Sequence, residues 1–293
     1  MVGGVPATDV IVESATSITA KTGAHPTGAS DVTVTVGGRN GTLAGGFTYD
    51  TDTAPVITSV TAQGARPSQP KNFADLDEEV AVTAVVEDPD TPPDRLTFEW
   101  SAETGTFSGT GAKVTWRAPA DASTPKAIVL NVKVSDPGSN STTGMVTVSV
   151  HNSMKEVADL SRQFLLDFSD SKNGAAFVVR NFTKSPRCEA DRDEEFNEID
   201  TNRSTYRITS SNIGPATVKI QFASLPCSYL PRDGDACASV PSTWDSVCAP
   251  GVTCMPGRSQ GIDYVTAVYE GTEWKLCASY FQGSGPIQKG FIK

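Results

Sequence analysis

Between Glu79 and Val150 apolar residues recur at every second position. A chain written that way forms β-strands, each with one face buried. Val80, Val82, Ala84 and Val86 make one such set, and Leu96, Phe98 and Trp100 a second. Ile128, Leu130, Val132 and Val134 make a third, and Val146, Val148 and Val150 a fourth, with Val114-Thr-Trp116 as a shorter run. Clusters of Pro, Gly and Asp separate the runs, as in Glu87-Asp-Pro-Asp-Thr-Pro-Pro-Asp94. Short strands broken by such turns are the pattern of a β-sandwich, and each apolar set is expected to face its core.

The whole chain has 293 residues, enough for two or three domains that each bury a core. Its net charge is −10 and its pI about 4.7, with no basic stripe. That balance gives no electrostatic footprint for nucleic acid or anionic lipid. No apolar run reaches the length of a membrane span. All six cysteines follow residue 187: Cys188, Cys227, Cys237, Cys248, Cys254 and Cys277. An even number confined to one region points to three disulfides and an oxidising compartment. Zinc is the weaker reading, because no Cys-x-x-Cys pair occurs and both histidines, His25 and His151, lie outside the cluster. The chain has no signal peptide and opens as if in mid-domain, so upstream domains are expected.

Residues 1–53 carry the alternating runs Asp9-Val-Ile-Val-Glu13 and Asp31-Val-Thr-Val-Thr-Val36, then Gly45-Gly-Phe-Thr-Tyr49. With Val2-Gly-Gly-Val-Pro-Ala-Thr8 and Ser14-Ala-Thr-Ser-Ile18, they resemble the second half of an IPT/TIG domain, an immunoglobulin-like module. The opening strands of that family are missing. The resemblance therefore implies an open sheet edge, weakly ordered alone or completed by upstream residues. His25, in the turn Gly23-Ala-His-Pro-Thr-Gly28, reads as a solvated turn residue.

Residues 54–152 form the sandwich segment. Glu87 to Asp94, Leu96-Thr-Phe-Glu-Trp100 and Val134-Ser-Asp136 resemble PKD and cadherin-like repeats, also immunoglobulin-like. Trp100 sits where such domains often bury a Trp. Asp88, Asp90, Asp94 and Asp136 carry two readings. They could converge and bind calcium, or they could make turns by capping backbone N–H groups. The turn reading is preferred, since calcium takes about six to eight oxygens and no tight loop motif is present.

Residues 153–293 change character. Ser153-Met-Lys-Glu156 reads as a capping box, followed by a helical face of Val157, Leu160, Phe164, Leu165 and Phe168. A short helix is expected within 174–182, and Glu194, Glu195 and Glu198 fall at helical spacing. Thr205–Thr209 and Ala216–Phe222 are expected to pair as strands. Asp263–Tyr269 and Glu273–Cys277 are expected to form a hairpin joined at Glu270-Gly-Thr272. Helices before an antiparallel sheet give an α+β domain. The Gly-Thr-Glu-Trp-Lys-Leu-Cys277 ending is similar to NTF2-like folds of secreted bacterial proteins. Cys227 to Gly261 reads as an insertion held by disulfides. The pairings Cys248 with Cys254, Cys227 with Cys237 and Cys188 with Cys277 are one choice among the 15 that six cysteines allow.

Catalytic patterns fail on their own terms. Gly257-Arg-Ser-Gln-Gly261 has the spacing of a nucleophile elbow, but no histidine follows it to act as base, and it reads as a surface turn. Asp191-Arg-Asp193 opens like an EF-hand loop, yet Phe196 stands where that loop needs glycine. An NTF2-like cone implies a pocket, which Tyr206, Phe222, Tyr264, Tyr269 and Trp274 could line. The alternative is that these aromatics simply fill the core, and it is preferred.

The fold expected is mainly β: immunoglobulin-like β-sandwiches followed by a disulfide-stabilised α+β domain. The function expected is that of a non-enzymatic extracellular or cell-surface protein of adhesion, assembly or ligand recognition, with a protein or carbohydrate partner. No cofactor is expected other than calcium. The second hypothesis is an ancillary region of a larger secreted carbohydrate-active enzyme or protease.

Overall fold

Strands dominate the computed structural model, which describes residues 1–66, 68–220 and 235–287. Phe222 and Cys227, singled out above, lie outside the described residues. Contacts divide the chain into two units. One is Met1–Val56 with Glu87–Thr97 and Val134–Thr142, and the other is Ile57–Val86, Phe98–Lys133 and Thr143–Lys293.

The first unit holds two hairpins, β1 (Thr8–Ser14) with β2 (Ser17–Lys21), and β3 (Gly28–Val36) with β4 (Arg39–Tyr49). Val36 pairs with Arg39, so Gly37-Gly38 is a two-residue loop, and both glycines have positive φ. That is the type I′ geometry whose twist matches the strands. Each hairpin is its own two-stranded sheet, and Val10, Val12, Ile18, Val36 and Leu43 stay exposed. Two strands alone bury little.

The second unit begins with the sandwich, apart from the ends of some of its strands, which are counted with the first. Its strands are β5 (Val56–Gly64), β6 (Phe73–Asp75), β7 (Glu79–Glu87), β8 (Thr97–Ala102), β9 (Thr106–Ser108), β10 (Lys113–Arg117), β11 (Lys126–Ser135) and β12 (Ser141–His151). They form two four-stranded sheets in the orders β5-β7-β10-β9 and β6-β12-β11-β8. Val80 and Val82 of the first sheet share a core with Ile128, Leu130, Val146, Val148 and Val150 of the second. The period-two pattern therefore does what it predicted. The tryptophan at the centre is Trp116, with no exposed surface and its Nε1 donating to the Thr104 carbonyl at 3.3 Å. Trp100 is half-buried at the margin beside Phe107, its Nε1 donating to the Gly111 carbonyl at 3.0 Å. The indole on the short run thus takes the central place that the immunoglobulin-like resemblance implied for Trp100.

The α+β region follows with α1 (Ser153–Ser169), α2 (Ala175–Val178) and α3 (Glu189–Thr205). Its strands are β13 (Tyr206–Ile213), β14 (Thr217–Ile220), β15 (Ala236–Cys248), β16 (Gly257–Glu270) and β17 (Glu273–Ser284). Val157, Phe164, Leu165 and Phe168 of α1 are fully buried against Ala238, Val240, Trp244 and Leu276 of the sheet. The cap of α1 is Asn152, whose Oδ1 accepts from Lys155 N at 3.2 Å, while Glu156 Oε1 accepts from Asn152 N at 3.0 Å. The reciprocal capping lies one residue earlier than the sequence suggested because Ser153 is engaged elsewhere. Its N–H donates to Asp75 and its Oγ accepts from Trp274 Nε1.

Strand pairing departs from expectation. β13 and β14 do not pair with each other; both pair with β15, a 13-residue strand inside the segment read as an insertion. Ala236, Ala238, Val240, Ser242, Trp244 and Ser246 point inward from it, all buried. Small and polar inward residues, with Pro241 in the middle, hid the alternation. Pro241 is tolerated because it lies where β13 leaves and β14 begins: its carbonyl accepts from Gly214 N at 2.8 Å, and its missing N–H faces that gap. Disulfides join Cys188 to Cys277 and Cys248 to Cys254, and no described cysteine is free. The expected pairing of Cys237 involves Cys227, outside the described residues.

Candidate functional site

Three polar constellations compete for a functional role. In the first unit, the β7–β8 connection and the β11–β12 turn bring Asp88, Asp90 and Asp136 together with Asp52, which the sequence reading did not single out. Asp88 Oδ1 accepts from the N–H groups of Asp90 (3.1 Å) and Thr91 (2.9 Å). Asp136 Oδ1 accepts from Asn140 N at 2.9 Å, and Asn140 Nδ2 donates to Asp52 Oδ2 at 2.9 Å. Thr53 donates to both oxygens of Asp90, from N at 2.8 Å and from Oγ1 at 3.1 Å. Desolvation, then repulsion from Asp136, Asp90 and Asp88, pushes the Asp52 carboxyl above its ordinary value. Asp94 is exposed in a 3₁₀ turn and takes no part in these bonds. Asp52 is legible only in hindsight, as the second acid of the run Asp50-Thr-Asp-Thr53.

The second constellation surrounds His151, the last residue of β12, which has no exposed surface. Its Nδ1 lies 2.7 Å from Glu156 Oε2, and its Nε2 lies 2.8 Å from Ser149 Oγ and 3.0 Å from the Tyr269 hydroxyl. Phe73 stacks on the ring at 5.1 Å, with planes 10° apart. Burial pushes the Glu156 carboxyl up, but hydrogen bonds from His151 and Asn152 outweigh it and hold the group below its ordinary value. Burial pushes the Tyr269 phenol up. Ser149, His151 and Glu156 stand in the order of a serine–histidine–acid triad. A working triad needs its imidazole at the substrate; here the imidazole is sealed beneath Phe73 and Tyr269. The cluster binds β12, α1 and β16 into one joint.

The third lies on the five-stranded sheet. Residues directly opposite each other on paired strands share a face. Register therefore sets Ser239, Tyr264 and Tyr280 side by side on the face opposite the core, with Pro241, Ile262 and Gln282 in the next row and Thr243, Gln260 and Ser284 beyond. Gln260, Ile262, Gln282 and Ser284 are exposed, and the half-buried rings of Tyr264 and Tyr280 stack at 6.3 Å with planes 17° apart. Of the other aromatics proposed for a pocket, Tyr206 and Tyr269 are partly buried against the core and Trp274 is within it. Phe222 is outside the described residues. Tyr264 thus stands on the opposite face from Trp274.

The rejected motifs are placed plainly. Gly257 to Gly261 is the start of β16, not a surface turn, and Ser259 is fully buried with its Oγ accepting from Ile287 N at 2.9 Å. Glu194 is exposed on α3, while Glu195 is buried and accepts from the Ser279 hydroxyl. Among the described residues, no group of three or more His, Cys, Asp or Glu is arranged to hold a metal ion as placed, and no helix is long and apolar enough to cross a membrane. Compared with known proteins, the chain matches no family model, and no curated protein matches it in sequence.

Proposed function

We propose that this chain is a non-enzymatic extracellular or cell-surface protein whose α+β region recognises a ligand, with carbohydrate as the favoured class. The observation that carries the reading is the outward row of Tyr264 and Tyr280 among Ser239, Gln260, Thr243 and Gln282. Flat amphipathic rings present a large apolar surface at low conformational cost, and neighbouring amides and hydroxyls supply orienting hydrogen bonds. The His151 joint supports a spacer role for the sandwich, because a buried polar lock holds the recognising region on its strands. The extracellular location is supported by the disulfides Cys188–Cys277 and Cys248–Cys254, which persist in oxidising compartments. Calcium is the one cofactor this reading admits.

Thiol trapping tests the location. Cells making the protein are quenched with a membrane-permeant alkylating agent, and the modified cysteines are counted by mass. The proposal expects none of Cys188, Cys248, Cys254 and Cys277 to be modified before reduction. Full modification of these four in the native protein would remove the basis for placing it outside the cell.

A further inference from the structure

We propose that the ligand of the outward sheet face is an acidic glycan, a chain of hexuronate sugars whose rings stack on Tyr264 and Tyr280 and whose carboxylates are held by Arg258 and Arg207. This deepens the carbohydrate reading and rests on it.

The charge on this face opposes that of the chain. The sequence carries 34 acids against 24 Lys and Arg. Register continues the outward rows in both directions. Beyond Thr243 and Gln260 the next row holds Ser210, Asp245 and Arg258, and the one after it Arg207 and Val247. In the other direction Thr217 joins the row of Ser239 and Tyr264, and Lys219 lies in the row past it. Among the described residues these rows carry three cations and a single acid, Asp245. Arg207, Lys219 and Arg258 are exposed, and none of them makes an ion pair or a side-chain hydrogen bond among the described residues. Asp245 stands directly across from Arg258, yet its Oδ2 accepts from the Ser210 hydroxyl at 2.6 Å and Arg258 is left without a partner. Single solvated cations are ordinary on a surface. These three share one face with two stacked tyrosines, and a negative ligand is what such a face complements.

Strand rise sets the spacing. Arg258 and Tyr264 both lie on β16, separated by about 20 Å at the rise of an extended strand. Gln260 and Ile262 form the exposed line between them, and Gln282 and Ser284 flank it on β17. One open track therefore presents stacking rings, then amides, then a charge, over the length of several sugar units. A neutral glycan would use the tyrosines and amides and leave the guanidiniums idle. A hexuronate chain carries a carboxylate on every ring, so one falls beside Arg258 whenever another ring stacks on the tyrosines. The planar guanidinium takes a carboxylate through two parallel N–H donors, a geometry that lysine lacks. Arg207 extends the same grip across β15.

The test is calorimetric titration of oligogalacturonate and of oligoguluronate, each beside its methyl ester, into the oxidised full chain. The ester keeps the sugar and removes the charge. The acids are expected to bind about tenfold more tightly than the esters, and Arg258→Gln to cost about tenfold for the acids and almost nothing for the esters, as for a hydrogen bond to a charged group. Lys133→Gln, which removes an equal charge from an exposed position on the sandwich, is expected to change neither. No hexuronate binding, esters bound as tightly as acids, or acid binding that ignores Arg258→Gln overturns the inference. Tyr264→Ala separates it from the reading on which it rests. Sugar binding that needs Tyr264 but ignores Arg258→Gln overturns the charge inference alone, whereas binding indifferent to Tyr264→Ala overturns both.

Discussion

Replacing His151 by phenylalanine separates what the buried imidazole does by packing from what it does by hydrogen bonding. Phenylalanine keeps a ring against Phe73 but loses the contacts to Glu156 at 2.7 Å and to Tyr269 at 3.0 Å. Each partner left unsatisfied in a buried setting costs about 1–3 kcal/mol. Tyr269 keeps Ser149 as a neighbour, and Glu156 is 20% exposed and keeps the Asn152 N–H. Both losses therefore sit toward the lower end, and about 3 kcal/mol in total is expected. Trp274, whose Nε1 bonds Ser153 beside the joint, reports the transition by fluorescence during urea unfolding. With a slope on the order of 3 kcal/mol/M, the midpoint should fall by about 1 M. A fall of under about 0.2 M would show that the polar contacts contribute little and refute the joint as a stabilising lock.

Three further outcomes follow from the same geometry. Glu156 is depressed below its ordinary 4.5 in the folded chain, so its contribution is complete above that value and is lost as pH falls through its folded pKa. The stability gap between wild type and Glu156→Gln should therefore be constant from about pH 7 to 5 and shrink below, measured by urea midpoints at each pH. The Cys188–Cys277 bridge closes 89 residues and the Cys248–Cys254 bridge 6. Loop-closure entropy gives about 4–5 kcal/mol for the first and about 2 kcal/mol for the second, so paired alanine substitutions should lower thermal midpoints in that order. Gly105 has φ near +80°, and a Cβ there would meet Trp116 Nε1 at 2.5 Å. Gly105→Ala should cost about 2 kcal/mol or more through strain and displacement of the central indole, read as altered near-ultraviolet circular dichroism.

What the sequence disclosed depended on how each element announces itself. The strands with Val, Ile and Leu inward, such as Ile128 to Val134, were legible because period two is the direct image of the pleat. β15 was not, since its inward face is Ala, Ser and Trp, with a proline midway. The cap of α1 was misread by one residue because Ser153 is claimed by Asp75 and Trp274, partners remote in sequence. The acid cluster was half legible. Asp88, Asp90 and Asp136 mark themselves in turns, but Asp52 joins only through folding, and Asp94 stays outside. The Tyr264–Tyr280 row required the register of β16 on β17, which no local pattern supplies.

The measurement closest to the central claim is a glycan and peptidoglycan array probed with the oxidised full chain, beside Tyr264→Ala and Tyr280→Ala. The account predicts specific binding to a defined glycan set, lost by about tenfold or more in either variant while Tyr269→Phe binds normally, as expected when stacked aromatic anchors carry recognition. Binding that is indifferent to both tyrosines, or no binding to any glycan, would contradict the assignment of that sheet face as the recognition surface.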